Sequence, residues 1–220
     1  LAALADEAYT RFGSVHVLCN NAGVGGSTGA LWELSEGDWE WVLSVNLRSV
    51  IHGIRAFIPR MLAGGKPGHV VNTASVAGLA LGNGAYGVAK HGVVALSESL
   101  RSQLLAAGAP IGVSVLCPGW VNTNLTDSAR HRPARFGEPS LPVPDDPESL
   151  RRREFMVNLL AGGFAPEEIA ARVLGAVKSG RFYVIPAQDG MMEAVRRRHR
   201  AIEEEGNPPP PGALGYGLPE

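Results

Sequence analysis

The sequence predicts an α/β chain built on a doubly wound parallel sheet, and three observations predict it. Short apolar runs, "SVHVLC", "GHVVNTAS" and "IGVSVLCPG", alternate with longer stretches of helical period. The last run is almost continuously apolar, as a strand buried on both faces of a parallel sheet should be. Each run stops at a polar or glycine-containing motif, and in such sheets ligands sit beyond the carboxyl ends of the strands.

Taken in order, "LAALADEAYTRFG" reads as a helix with Leu1, Leu4, Ala5, Ala8 and Phe12 on one stripe and Gly13 as its stop. The first strand ends in "NNAGVGGSTG", a glycine-rich turn. Ser35 and Asp38 have the spacing of a capping box, and Trp39, Val42, Leu43, Asn46, Val50 and Ile54 follow at helical intervals. Pro59 and the glycines at 64 and 65 are expected to close that helix. A strand over residues 68–75 leads through a loop to a long helix over about 85–107, bracketed by Gly84 and Gly108. After the third strand, residues 126–163 read as irregular, because Pro133, Pro139, Pro142, Pro144 and Pro147 lie among clustered arginines. Pro166, Glu167 and Glu168 open another helix, "RFYVIP" is a last strand, and a basic helix around 196–200 follows. Residues 1–205 are read as one domain and 206–220 as a proline-rich extended tail.

With 220 residues, 45% of them hydrophobic, and a net charge of −1, the chain can bury one sizeable core and has no bulk charge for nucleic acid. No apolar run reaches the ~18 residues of a spanning helix. Together these point to a cytoplasmic protein without nucleic-acid or membrane partners. Cys19 and Cys117 lie in apolar runs and are expected as buried thiols rather than a bridge. The six histidines show no metal-ligand spacing, so no metal is expected.

The chemistry centres on "GAYGVAKHGV". Tyr86 and Lys90 stand four residues apart, one turn along the same helix face. A free tyrosine titrates near ~10, and an ammonium about 4 Å away is worth roughly 4 kcal/mol in a partly screened site, enough to lower that value by about three units. Lys90 would then make Tyr86 an acid/base near pH 7. Ser75 closes the preceding strand and is the candidate donor to a substrate oxygen.

Taken together, the motifs resemble the short-chain dehydrogenase/reductase family. "NNAG" at Asn20 to Gly23, Asn46 in "VNLRSV", Ser75 in "NTASVAG", Tyr86 and Lys90 in "YGVAK", and "PGWVNT" at 118–123 occur in the family's order. The resemblance implies a Rossmann-like fold, NAD or NADP as cofactor, and an alcohol or ketone substrate, expected to be apolar because Phe136, Leu141, Phe155 and Met156 lie in the segment 126–163 that resembles the family's substrate lid. It also implies that Tyr86 exchanges the proton, Ser75 positions the substrate oxygen, Lys90 binds the nicotinamide ribose and Asn46 holds a water relaying protons to Lys90. Asn20, Ala22 and Gly23 would lie along the cofactor, and Pro118, Gly119 and Thr123 against its nicotinamide end. A homodimer or homotetramer is implied for the complete protein.

Two departures stand out. The family's opening strand, its Thr-Gly-x-x-x-Gly-x-Gly turn and the following helix and strand are not in this sequence, which reads as truncated at its amino end and leaves the first strand an uncovered edge. The interval from Ser75 to Tyr86 is also about two residues shorter than usual. The alternatives to an active oxidoreductase are a nucleotide-sugar epimerase or dehydratase, disfavoured by the roughly 55 residues after Pro166, and an inactive relic or interaction module that does not bind dinucleotide.

Overall fold

The computed structural model describes residues 1–27, 30–81, 84–139 and 147–209. Four strands, β1 (Val17–Asn20), β2 (Gly68–Thr73), β3 (Ile111–Leu116) and β4 (Tyr183–Val184), lie in that order in one sheet, every pair parallel. Parallel neighbours need crossovers, and the helices supply them. They are α1 (Ala2–Phe12), α2 (Glu36–Leu43), α3 (Ser49–Gly64), α4 (Gly84–Ala106), α5 (Pro147–Ala161), α6 (Pro166–Ser179) and α7 (Met191–Glu203). None of the described helices is long and apolar enough to cross a membrane.

Alternation along the strands divides the core between the two faces of the sheet. Val70, Ile111 and Val113 pack with Phe57, Ile58 and Met61 of α3 and Leu100 and Leu104 of α4. Val71, Leu116 and Val184 point the other way, onto Ile169 and Ala176 of α6. A buried polar chain crosses the first face, where Asn20 Nδ2 donates to Asn72 Oδ1 at 2.8 Å and Asn72 Nδ2 to Ser97 Oγ at 3.0 Å. Ser97 Oγ then donates to Val93 O.

Several expectations need correction. Of the stripe proposed for α1, only Ala5 is buried; Leu1, Leu4 and Phe12 are exposed, and the helix packs on α3 through Ala5, Ala8 and Tyr9. Pro59 lies inside α3 rather than closing it, while the glycines at 64 and 65 do end the helix, Gly65 capping it with a left-handed φ of 59° that suits glycine. Cys19 is exposed, since it points to the face opposite Leu18, where α6 packs on β2, β3 and β4. Cys117 is buried as expected. Residues 126–163 are not wholly irregular, for α5 starts at Pro147, a residue suited to the first helical turn. Among the described residues β1 is a sheet edge, with Val17 half exposed. Within 126–163, Leu141 lies outside the described residues, as do residues 210–220 of the tail.

Candidate active site

The carboxyl ends of β1, β2 and β3 lie side by side, with Asn20 opposite Asn72 and Thr73 opposite Leu116. Past β2 the chain enters a 3₁₀ turn, Val76–Gly78, anchored to the chain after β3 because Val76 N–H donates to Pro118 O. The turn lies directly on α4. A Cβ on Gly78 would fall 2.5 Å from Lys90 O, so only glycine admits this approach.

That approach brings the Ser75 hydroxyl close enough to the Tyr86 phenol to influence its titration, while Ser75 Oγ donates to Pro118 O at 3.4 Å. The short interval between the two does not keep them apart. Ser75 Oγ also accepts from Ala77 N–H at 3.2 Å, which fixes its rotamer at the start of the turn. One turn along α4 from Tyr86, Lys90 is 3% exposed and its Nζ donates to Thr73 O at 2.9 Å. The same Nζ lies 5.6 Å from the centroid of the Tyr86 ring.

Burial dominates the electrostatics. It pushes the Tyr86 phenol above its ordinary value, while the Ser75 hydroxyl, by donating to the phenolate, draws it back in part. Burial also lowers the Lys90 ammonium to about 8 and raises the Cys117 thiol to about 12. The expectation that Lys90 brings Tyr86 down towards neutrality is therefore corrected. Desolvation is the largest influence on each of the two groups.

Asn46 is fully buried in a π-helical turn, Ser44–Arg48, between α2 and α3. Its amide clamps Val24 at two points: Val24 N–H donates to Oδ1 and Nδ2 donates to Val24 O, both at 2.8 Å. A Cβ on Gly23 would lie 3.5 Å from Asn46 Oδ1 and 3.6 Å from Lys90 Nζ, so the space kept open by this glycine is bounded by both residues. Ala22 precedes it at the exposed end of the same turn.

The remaining expected residues separate. Asn20 turns its side chain inward to Asn72, and its Oδ1 sits where a Cβ on Gly53 of α3 would fall, so that side chain supports the rim from below. Pro118 and Gly119 follow β3 at the rim. Gly119 is held close to Gln188, whose Oε1 would be 2.2 Å from an added Cβ. Thr123 is exposed, its hydroxyl donating to Val121 O, and among the described residues no bond ties it to Tyr86, Ser75 or Lys90. Nor does it cap the following 3₁₀ segment, which Asn124 precedes.

Three supports were not foreseen. Gln188 bonds both backbone groups of Trp120, accepting from its N–H at 2.9 Å and donating to its O at 2.8 Å. The Thr73 carbonyl receives Lys90. Arg132 pairs with Asp38 across 94 positions. Only the Asp38 side of the last pair left a sequence signal, through its helix cap.

Comparisons with known proteins bear on the same region. The family model described as short chain dehydrogenase matches residues 1–134. A CLA biosynthesis dehydrogenase/reductase of Lactiplantibacillus plantarum is 32% identical over 182 residues, covering 82% of this chain and 63% of that protein. A 1-deoxy-11-beta-hydroxypentalenate dehydrogenase of Streptomyces avermitilis is 44% identical over 126 residues, 56% of this chain and 46% of its own length. Among solved structures, a short chain dehydrogenase/reductase from Burkholderia phymatum in complex with NAD superposes with a TM-score of 0.87 at 39% identity, over 96% of this chain and 74% of that one. The chain thus spans less than two thirds of the length of these two curated relatives. With the sheet, the ordered motifs and the match over residues 1–134 in agreement, the chain belongs to the short-chain dehydrogenase/reductase family.

Proposed function

We propose that the chain works in an oxidoreductase that moves a hydride between NAD or NADP and the carbon of a secondary alcohol or carbonyl, with Tyr86 as its acid/base. The observation that carries this reading is the buried Lys90 ammonium, held on Thr73 O at the strand rim and 5.6 Å from the centroid of the Tyr86 ring, with Ser75 on the neighbouring turn.

The residues fit the nicotinamide half of a dinucleotide. Gly23 keeps open a space bordered by Asn46 and Lys90 that any Cβ would fill, and Pro118 and Gly119 stand at the neighbouring strand end. Lys90, Ala22 and Gly23 would hold the ribose, Pro118 and Gly119 the ring. When bound, the dinucleotide supplies or accepts the hydride.

The chain's own residues handle the proton. Ser75 donates to the substrate oxygen while charge gathers there, and Tyr86 gives that oxygen its proton. Burial keeps the phenol protonated at neutral pH, the form that carbonyl reduction requires. Lys90 stabilises the phenolate left behind, and Asn46, through the Val24 clamp, keeps the Gly23 space open for a water leading to Lys90.

Titration with NADH and NADPH, followed by nicotinamide fluorescence, tests binding, and turnover of 1-phenylethanol tests chemistry. Tyr86→Phe should retain cofactor affinity and fall below about 1% of the parent rate. A variant that keeps more than that removes Tyr86 from the proton step. A chain that binds neither nucleotide supports the inactive module instead.

A further inference from the structure

We propose that the buried pair of Arg132 and Asp38 is a latch that holds residues 125–137 as a fixed wall beside Tyr86, and that this wall sets how tightly substrate binds.

The latch joins three pieces of chain. Asp38 is the third residue of α2, where it completes a capping box with Ser35. Its Oδ1 also accepts from Ser27 Oγ at 2.7 Å, in the turn that follows β1, and from Arg132 Nη1 at 2.7 Å. The side chains are 1% and 5% exposed. Arg132 uses the rest of its fork on the chain just ahead: Nε donates to Gly137 O and Nη2 to Phe136 O, both at 2.7 Å. Its guanidinium also lies over the Trp41 ring, 5.3 Å from the centroid.

Two further contacts set the wall against the site. Ser128 Oγ accepts from Gly25 N–H at 2.9 Å, two residues beyond the Gly23 space. Phe136 packs on the cluster of Val24, Trp41, Val42, Ala85 and Ala89 that Tyr86 also touches. Gly37 allows the closure, since a Cβ there would lie 2.1 Å from Phe136 O. A buried ion pair adds little net stability over an apolar pair of similar volume, while its fork geometry admits one arrangement of the partners. Arg132 and Asp38 are thus positioning residues that act through the wall. This inference rests on the oxidoreductase reading for its substrate, though not for its geometry.

The test uses the full chain with Arg132→Lys, which keeps the charge and loses the fork, and Ser128→Ala, which removes one bond and leaves the pair. Hydrogen exchange across 125–137 should quicken by about tenfold in Arg132→Lys and by less in Ser128→Ala, with β3 unchanged. With 1-phenylethanol, KM in Arg132→Lys should rise by about fivefold or more while kcat stays within about twofold. Unchanged exchange over 125–137 in both variants overturns the latch, and faster exchange with unchanged KM overturns its effect on substrate. A parent chain without turnover defeats the oxidoreductase reading, and the exchange data still decide the latch.

Discussion

Gly78 and Lys90 touch backbone to backbone: a Cβ on the glycine would stand 2.5 Å from the lysine's carbonyl oxygen and 2.7 Å from its carbonyl carbon. Neither atom belongs to a flexible side chain, so neither can retreat without moving α4. Gly78→Ala should lift the Val76–Gly78 turn and draw Ser75 away from Tyr86. The expected result is about 1–3 kcal/mol of lost stability and a fall in turnover of up to about a hundredfold. Thermal melts and kinetics on one preparation check both.

The Lys90 ammonium is held at about 8, against an ordinary 10.5. The folded state therefore binds fewer protons than the unfolded state between these values, and burying the charge opposes folding by on the order of 3 kcal/mol at pH 7. This opposition is fully present below about 8 and fades as pH climbs towards 10.5. Lys90→Met, similar in length, should melt above the parent at pH 7, and the gap should narrow from pH 8 to 9. Tyr86, whose raised value weakens the fold in alkali, is common to both chains and cancels in the comparison; Cys117 is also common to both, but loses the pull of the Lys90 charge in the variant, so its thiol rises further there.

Because the phenol is held above its ordinary value, the two directions of reaction should respond oppositely to pH. With Tyr86 as the proposed acid/base, carbonyl reduction draws on its proton and should be flat through neutrality. Alcohol oxidation needs it removed and should rise steadily above pH 8. Stopped-flow traces in both directions would show this, and parallel profiles would take Tyr86 out of the titration.

Asn72 carries the polar chain beneath the rim. Asn72→Ala strands Asn20 Nδ2 and Ser97 and opens a small cavity, so it should cost about 2–4 kcal/mol. Denaturant unfolding should show the loss, and Asn72→Asp should not recover it, because a carboxylate cannot donate to Ser97.

Much of the frame was legible because its signals are local. The apolar runs became β1, β2 and β3, and the spacing of Ser35 and Asp38 became a capping box with both bonds made. Tyr86 and Lys90 fall on one face of α4 because i and i+4 always do. What stayed hidden depends on tertiary context. Pro59 reads as a terminator, yet α3 carries it in its interior. The side of the sheet that Cys19 faces depends on where α6 packs. Arg132 looks like one more surface arginine until the chain returns across 94 positions to Asp38. The phenol's direction of shift turned on burial, which spacing between charges does not report.

The described chain just after β3 and just before α6 is tied together at a neck. Asn122 N–H donates to Phe164 O at 2.9 Å, Phe164 N–H to Trp120 O at 3.0 Å, and Gly163 passes so near Trp120 that a Cβ would overlap its carbonyl. A stretch whose two ends are stitched together in this way can be replaced as one piece, provided that its ties to Asp38, Gly25 and the cluster around Tyr86 are rebuilt. New selectivities can then arise by transplanting what lies between those two stitches, and a chimera joined at 121 and 164 is the natural way to make one.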